Sequence, residues 1–139
     1  MDILFFIADS SASFSSFEMG GLEFYGQLGE FTQKEYRSQD LCMVFISLVD
    51  LSCCLRRGQY QYNSSSAIRF SYTTTGCFMV NGRRIENIPL GNLLQRIHQL
   101  VDEAILYLIK KGVCKETSVL ADLINESGML SALLNVGKV

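Results

Sequence analysis

The hydrophobic period of this chain changes twice along its length, and that change restricts the fold more than any other feature. Leu41, Val44, Phe45, Leu48, Leu51 and Leu55 recur at helical spacing, which sets one apolar stripe on an α-helix. The period then falls to two. Tyr60 and Tyr62 alternate with Gln59 and Gln61, and Ile68, Phe70 and Tyr72 alternate with Arg69, Ser71 and Thr73. This is the pattern of half-buried strands. From Leu90 the helical period returns through Leu93, Leu94, Ile97, Leu100, Val101, Ala104, Ile105 and Leu108. Strands in runs, separated by long helices rather than alternating with them, predict an α+β domain with an antiparallel sheet.

Local signals place the boundaries. Asn81-Gly82 lies between Cys77–Val80 and Arg83–Glu86. That dipeptide predicts a two-residue hairpin, because a type I′ turn needs positive φ at both central residues. Arg56-Arg57-Gly58 and Lys110-Lys111-Gly112 each supply cations and a glycine at a helix end. Ser38 reads as the N-cap of the first helix, with Asp40 in its first turn. Pro89 ends the last strand before the helix over 90–111. A shorter helix is predicted over 117–125, interrupted by Gly128, with a last turn or two over 129–136.

The first forty residues are read less directly. Ile3–Ala8 is a continuous apolar run, the pattern of a strand covered on both faces. Residues 9–16 are small and polar and read as a loop. Residues 17–31 read as one or two antiparallel strands. Leu22 and Phe24 share one face, Glu23 and Tyr25 the outward one, and Gly20-Gly21 marks a turn. Gly26 and Gly29 mark bulges or bends. The expected fold is one domain over 1–139. It has an antiparallel sheet of about five strands, with two long helices and a shorter C-terminal helix packed on it.

Composition narrows the class. With 48% hydrophobic and 19% charged residues, the chain has enough apolar surface to fold without a metal or disulfide. No run reaches the length of a membrane span, and the apolar start lacks a basic n-region, so the expected location is cytoplasmic. Cys42, Cys53, Cys54, Cys77 and Cys114 fit no zinc or C-x-x-C spacing and read as small buried hydrophobes.

No pattern carries catalysis. His98 is the only histidine, at the border of a helical stripe, and no G-x-S-x-G surrounds any serine. Asp102-Glu103 is an adjacent acid pair on a solvent-facing part of the same helix. The glycines form neither phosphate-binding pattern. The expectation is a non-enzymatic domain with no catalytic residue, metal or cofactor. Arg56-Arg57, Arg83-Arg84 and Lys110-Lys111 beside aromatic strands allow a single-strand nucleic-acid module, but each pair has a local purpose at a helix end or turn.

Charge supplies the remaining signal. Residues 1–50 hold eight acids against two bases, a balance of −6, and the rest of the chain carries +4. Glu18, Glu23, Glu30 and Glu35 lie across strands and loop with no structural role, unlike Asp40 at its helix start. They are the candidate partner-binding residues, an acidic docking face for a basic protein.

The layout is similar in kind to the immunity proteins of bacterial polymorphic-toxin and contact-dependent growth inhibition systems. The features behind the resemblance are the opening strand Ile3–Ile7, the acidic segment Glu18–Asp40 and the helix from Asp40. The hairpin at Asn81-Gly82 and the helix ending Lys110-Lys111-Gly112 complete it. The resemblance implies a tight complex with one cognate toxin, often a basic nuclease blocked by acidic residues. A small acidic secretion chaperone or adaptor, dimeric and with an apolar groove for its client, is the alternative.

Overall fold

A computed structural model describes residues 1–7, 19–33, 39–64, 68–114 and 117–136. The domain is α+β. The strands β1 (Asp2–Ile7), β2 (Met19–Tyr25), β3 (Glu30–Thr32) and β4 (Gln39–Asp40) precede helix α1 (Leu41–Arg56). Then come β5 (Gln61–Asn63), β6 (Arg69–Tyr72), β7 (Cys77–Val80) and β8 (Arg83–Asn87). Helices α2 (Leu90–Lys110) and α3 (Ser118–Val136) close the chain.

The strands form two antiparallel sheets where a single sheet of about five strands was expected. In the first, β2 is central. It pairs with β1 on one side, and with β3 near its end and β4 near its start. The second is the meander β5-β6-β7-β8. The two join side by side. The turn after β2 sets its backbone against β8, with the Leu28 amide donating to the Ile85 carbonyl at 2.9 Å. Arg83 reaches across the seam to the Glu30 carbonyl at 3.4 Å and lies over the Phe31 ring.

The Asn81-Gly82 hairpin forms as predicted, with φ of 51° and 78° at its two central residues. The Asn81 side chain also accepts a hydrogen bond from the Arg69 amide at 2.7 Å. Gly20-Gly21, in contrast, is no turn. Both glycines lie inside β2, opposite Ile7 and Phe6. A Cβ at Gly20 would sit 2.2 Å from the Phe6 carbonyl oxygen. These glycines let the strand backbones pass closely, a demand that leaves the same sequence mark as a turn.

Two further expectations are corrected, the covering of β1 and the N-cap of α1. β1 is covered on one face: Ile3 is buried while Leu4 is 42% exposed. α1 widens its buried face through Ser47 and Ser52, while Ile46 stays exposed. Its N-cap is Asp40, whose carboxylate accepts from the Cys42 amide at 2.8 Å. Ser38 lies outside the described residues.

Helix α2 spans its predicted length and buries Leu93, Ile97, Leu100, Val101, Ala104 and Leu108. Helix α3 runs unbroken through Gly128. A Cβ there would meet nothing, so the glycine costs only its propensity, about 1 kcal/mol. Burial of Leu120, Leu123 and Leu130 on both sides of it outweighs that, since each buried leucine contributes about 2 kcal/mol. α1 lies against β2 and β5, α2 against β1, and α3 packs on both other helices. One continuous apolar cluster links sheets and helices, from Ile3 and Phe24 through Phe45 and Phe78 to Leu130.

Candidate functional site

The four candidate acids do not form one described surface. Glu18 and Glu35 lie outside the described residues. Glu23 and Glu30 share a face of the first sheet, since Glu23 and Tyr25 alternate on β2 and Tyr25 pairs with Glu30. The side-chain alternation therefore follows the sequence reading. Exposure does not: of the two described acids, Glu23 is 6% exposed, beside buried Thr32 and Gln33, while Glu30 is exposed. The Gln33 amide oxygen accepts from the Leu22 backbone at 2.6 Å, which draws that side chain over the sheet.

Other acids have local partners. Asp2 pairs with Arg96 at 3.2 Å. Glu86 pairs with the chain's first amino group at 3.4 Å and accepts from the Gln27 amide. Asp50 accepts from the Tyr62 hydroxyl at 2.7 Å. Burial pushes the Tyr62 pKa up, and the hydrogen bond to Asp50 and that carboxylate's charge add to the rise.

Two polar clusters on α3 were not foreseen. Glu126 is 3% exposed. Both of its oxygens accept from Arg56, at 2.7 and 2.9 Å, and one also accepts from the Ser52 hydroxyl at 2.6 Å. This bidentate pair fastens α3 to α1 and raises the Arg56 pKa, chiefly through the hydrogen bond. The sequence held a signal for it, an acid three residues after Leu123 and four before Leu130. That signal is visible only once the helix continues through Gly128.

The next residue turns to the other helix. Ser127 donates to Asp102 at 2.6 Å, and His98 Nε2 lies 3.3 Å from the Ser127 hydroxyl and 3.5 Å from Asp102. A serine, a histidine and an aspartate thus meet, yet not as a catalytic relay. In a relay the carboxylate holds one imidazole nitrogen and the serine the other. Here both partners face the same nitrogen, and the serine proton is directed at the carboxylate. The arrangement works as a polar clasp between α2 and α3.

The cysteines carry no paired chemistry. None of the five is in a disulfide; Cys77 is buried, while Cys42, Cys53 and Cys54 are half-buried. Burial, with Cys53 and Asp50 nearby, raises the Cys54 pKa, the opposite of an activated thiol. Cys114 is exposed, unlike the buried hydrophobe expected there. Among the described residues no group of three or more metal-ligating side chains converges, and no helix is long and apolar enough to cross a membrane.

A groove of about 670 Å³ lies where the end of α1, the start of α2 and the end of α3 meet. Leu55, Leu94 and Leu134 give it apolar surface, and Arg57, Asn92 and Gln95 give it polar groups. Compared with protein families, curated proteins and solved structures, the chain matches none.

Proposed function

We propose that this is a non-enzymatic protein-binding domain, and that its partner is a bacterial toxin domain which it neutralises in the cytoplasm. The observation that carries the reading is a contrast in what the surface offers. Asp2, Asp50, Asp102, Glu126, His98 and Ser127 are tied into local pairs, while Leu106, Ile109, Met129 and Leu133 stand exposed on α2 and α3. Large exposed apolar side chains favour recognition of another protein. The imbalance of −6 over residues 1–50 favours a basic one. Of the four candidate acids, Glu30 is described and exposed, with Glu18 and Glu35 joining it in this proposal. Glu23, being buried, contributes none.

The test is titration with the toxin-like C-terminal domain of a large secreted protein encoded directly upstream. Reversing charge at Glu18, Glu30 and Glu35 together is expected to slow association about tenfold at low salt. Unchanged association overturns the acidic docking face.

The same exposed apolar side chains would also suit a dimeric secretion chaperone. Native mass spectrometry of the isolated protein separates the two, with a monomer expected for the immunity reading and a dimer for the chaperone.

A further inference from the structure

We infer that the groove between the ends of α1 and α3 and the start of α2 docks a peptide segment of the partner, one that places an apolar side chain beside an acidic one. The inference rests on the protein-binding reading but not on the partner being a toxin. Three observations support it.

The first is shape. The groove holds about 670 Å³, within the roughly 300–1,000 Å³ of ligand sites and more than one side chain fills. Leu55 and Leu94 are buried in the core and contribute to its lining. Leu133 and Tyr60, at 44% and 39% exposure, present apolar surface to solvent.

The second is charge. The lining holds two arginines and no acid. Arg56 is committed to both oxygens of Glu126, so its charge is matched. Arg57 is exposed, and among the described residues no carboxylate pairs with it. In a chain of net charge −2, this groove is a place where an acidic group gains from a local cation.

The third is the polar part of the lining. Asn92 and Gln95 are exposed amides, able to donate to and accept from a peptide backbone. A purely hydrocarbon ligand would strip water from those amides and from Arg57 with nothing in return. A peptide satisfies all three parts: its backbone meets the amides, a carboxylate meets Arg57, and an apolar side chain covers Leu55 and Leu94.

The experiment is selection from a random displayed peptide library on the full chain, followed by fluorescence anisotropy with an enriched peptide. Enriched sequences are expected to set Asp or Glu next to Leu, Ile, Phe or Met. Arg57→Glu should weaken such a peptide about tenfold, and replacing the peptide's acid by Lys should restore binding to that variant. Leu133→Asp should weaken it by a similar factor. Both sites are exposed, and an unchanged circular-dichroism spectrum verifies the fold. Failure to enrich any peptide, enrichment without an acidic bias, or indifference to Arg57→Glu overturns the docking site. If the toxin domain still binds in that case, the proposed function survives and this inference alone falls.

Discussion

Glu126 and Ser127 are adjacent on α3, yet they fasten it to different helices in different ways. Glu126 turns inward and meets Arg56 and Ser52 of α1 almost out of contact with water. Ser127 sits about 100° further round the helix and meets Asp102 and His98 of α2. The Asp102 side chain there is 51% exposed. Both clusters contain an acid, a hydroxyl and a basic group, so composition does not separate them. Water does. At the outer cluster, solvent replaces each lost partner at little cost. At the inner one, a lost partner leaves a group desolvated. The lesson is that the energetic weight of a polar clasp follows from its surroundings more than from its geometry.

The widest test removes the inner acid. Glu126→Leu leaves the Arg56 guanidinium without its two acceptors, and the expected loss is about 3 kcal/mol in urea denaturation. That is the low end for a broken buried pair, because the Arg56 side chain is 17% exposed and can swing into the adjoining groove. The double variant Arg56→Met with Glu126→Leu should recover most of the loss, since apolar replacements of similar volume restore packing without a stranded charge. A double variant no more stable than Glu126→Leu would mean that the pair itself, and not the avoidance of an unpaired ion, holds the helices.

A third clasp joins α1 to the second sheet, where the Tyr62 hydroxyl donates to Asp50 at 2.7 Å. The Tyr62 pKa is raised by burial first and by Asp50 next, and burial raises Tyr72 as well, whose hydroxyl donates to the Ile88 carbonyl. The folded protein thus holds these protons more tightly than the unfolded chain does. Their contribution is complete below the unfolded tyrosine value of about 10 and is lost as pH climbs from there toward the folded values. Stability measured between pH 9 and 11 should therefore fall, and Tyr62→Phe should flatten that fall. At neutral pH the variant should cost about 1 kcal/mol, a single hydrogen bond with its acceptor still near solvent. An equally steep alkaline loss in Tyr62→Phe would assign it to other groups.

How far the fold was legible follows the same division between local and distant causes. Helices α1 and α2 and the strands of the second sheet could be read because each is set by neighbours in sequence: a stripe, an alternation, the Asn81-Gly82 turn. What was misread depends on residues far away. Gly20 is explained by the Phe6 carbonyl and Leu41 pressed against it, and nothing near it in sequence tells this from a turn. Glu23 alternates correctly but lies under cover that the strand pattern does not encode. The division into two sheets depends on how residues 26–29 meet β8, a contact between segments almost sixty residues apart. The groove is least legible of all, since it exists only where three helix ends converge.

The smallest expected effect belongs to the outer cluster. Ser127→Ala removes the hydrogen bond to Asp102 and the contact with His98. Asp102 remains half-exposed, so water satisfies it, and the cost should stay within about 0.5 kcal/mol. Asp102→Asn should behave alike, and raised salt should shrink even this difference, because charges in open solvent are screened within about 10 Å at 0.1 M. Glu126→Leu, measured in the same salts, should keep most of its effect, since buried pairs are screened far less. A loss above about 2 kcal/mol in Ser127→Ala, matching a buried hydrogen bond, would place the two clasps on an equal footing. Burial would then no longer account for the difference between two neighbouring residues of one helix.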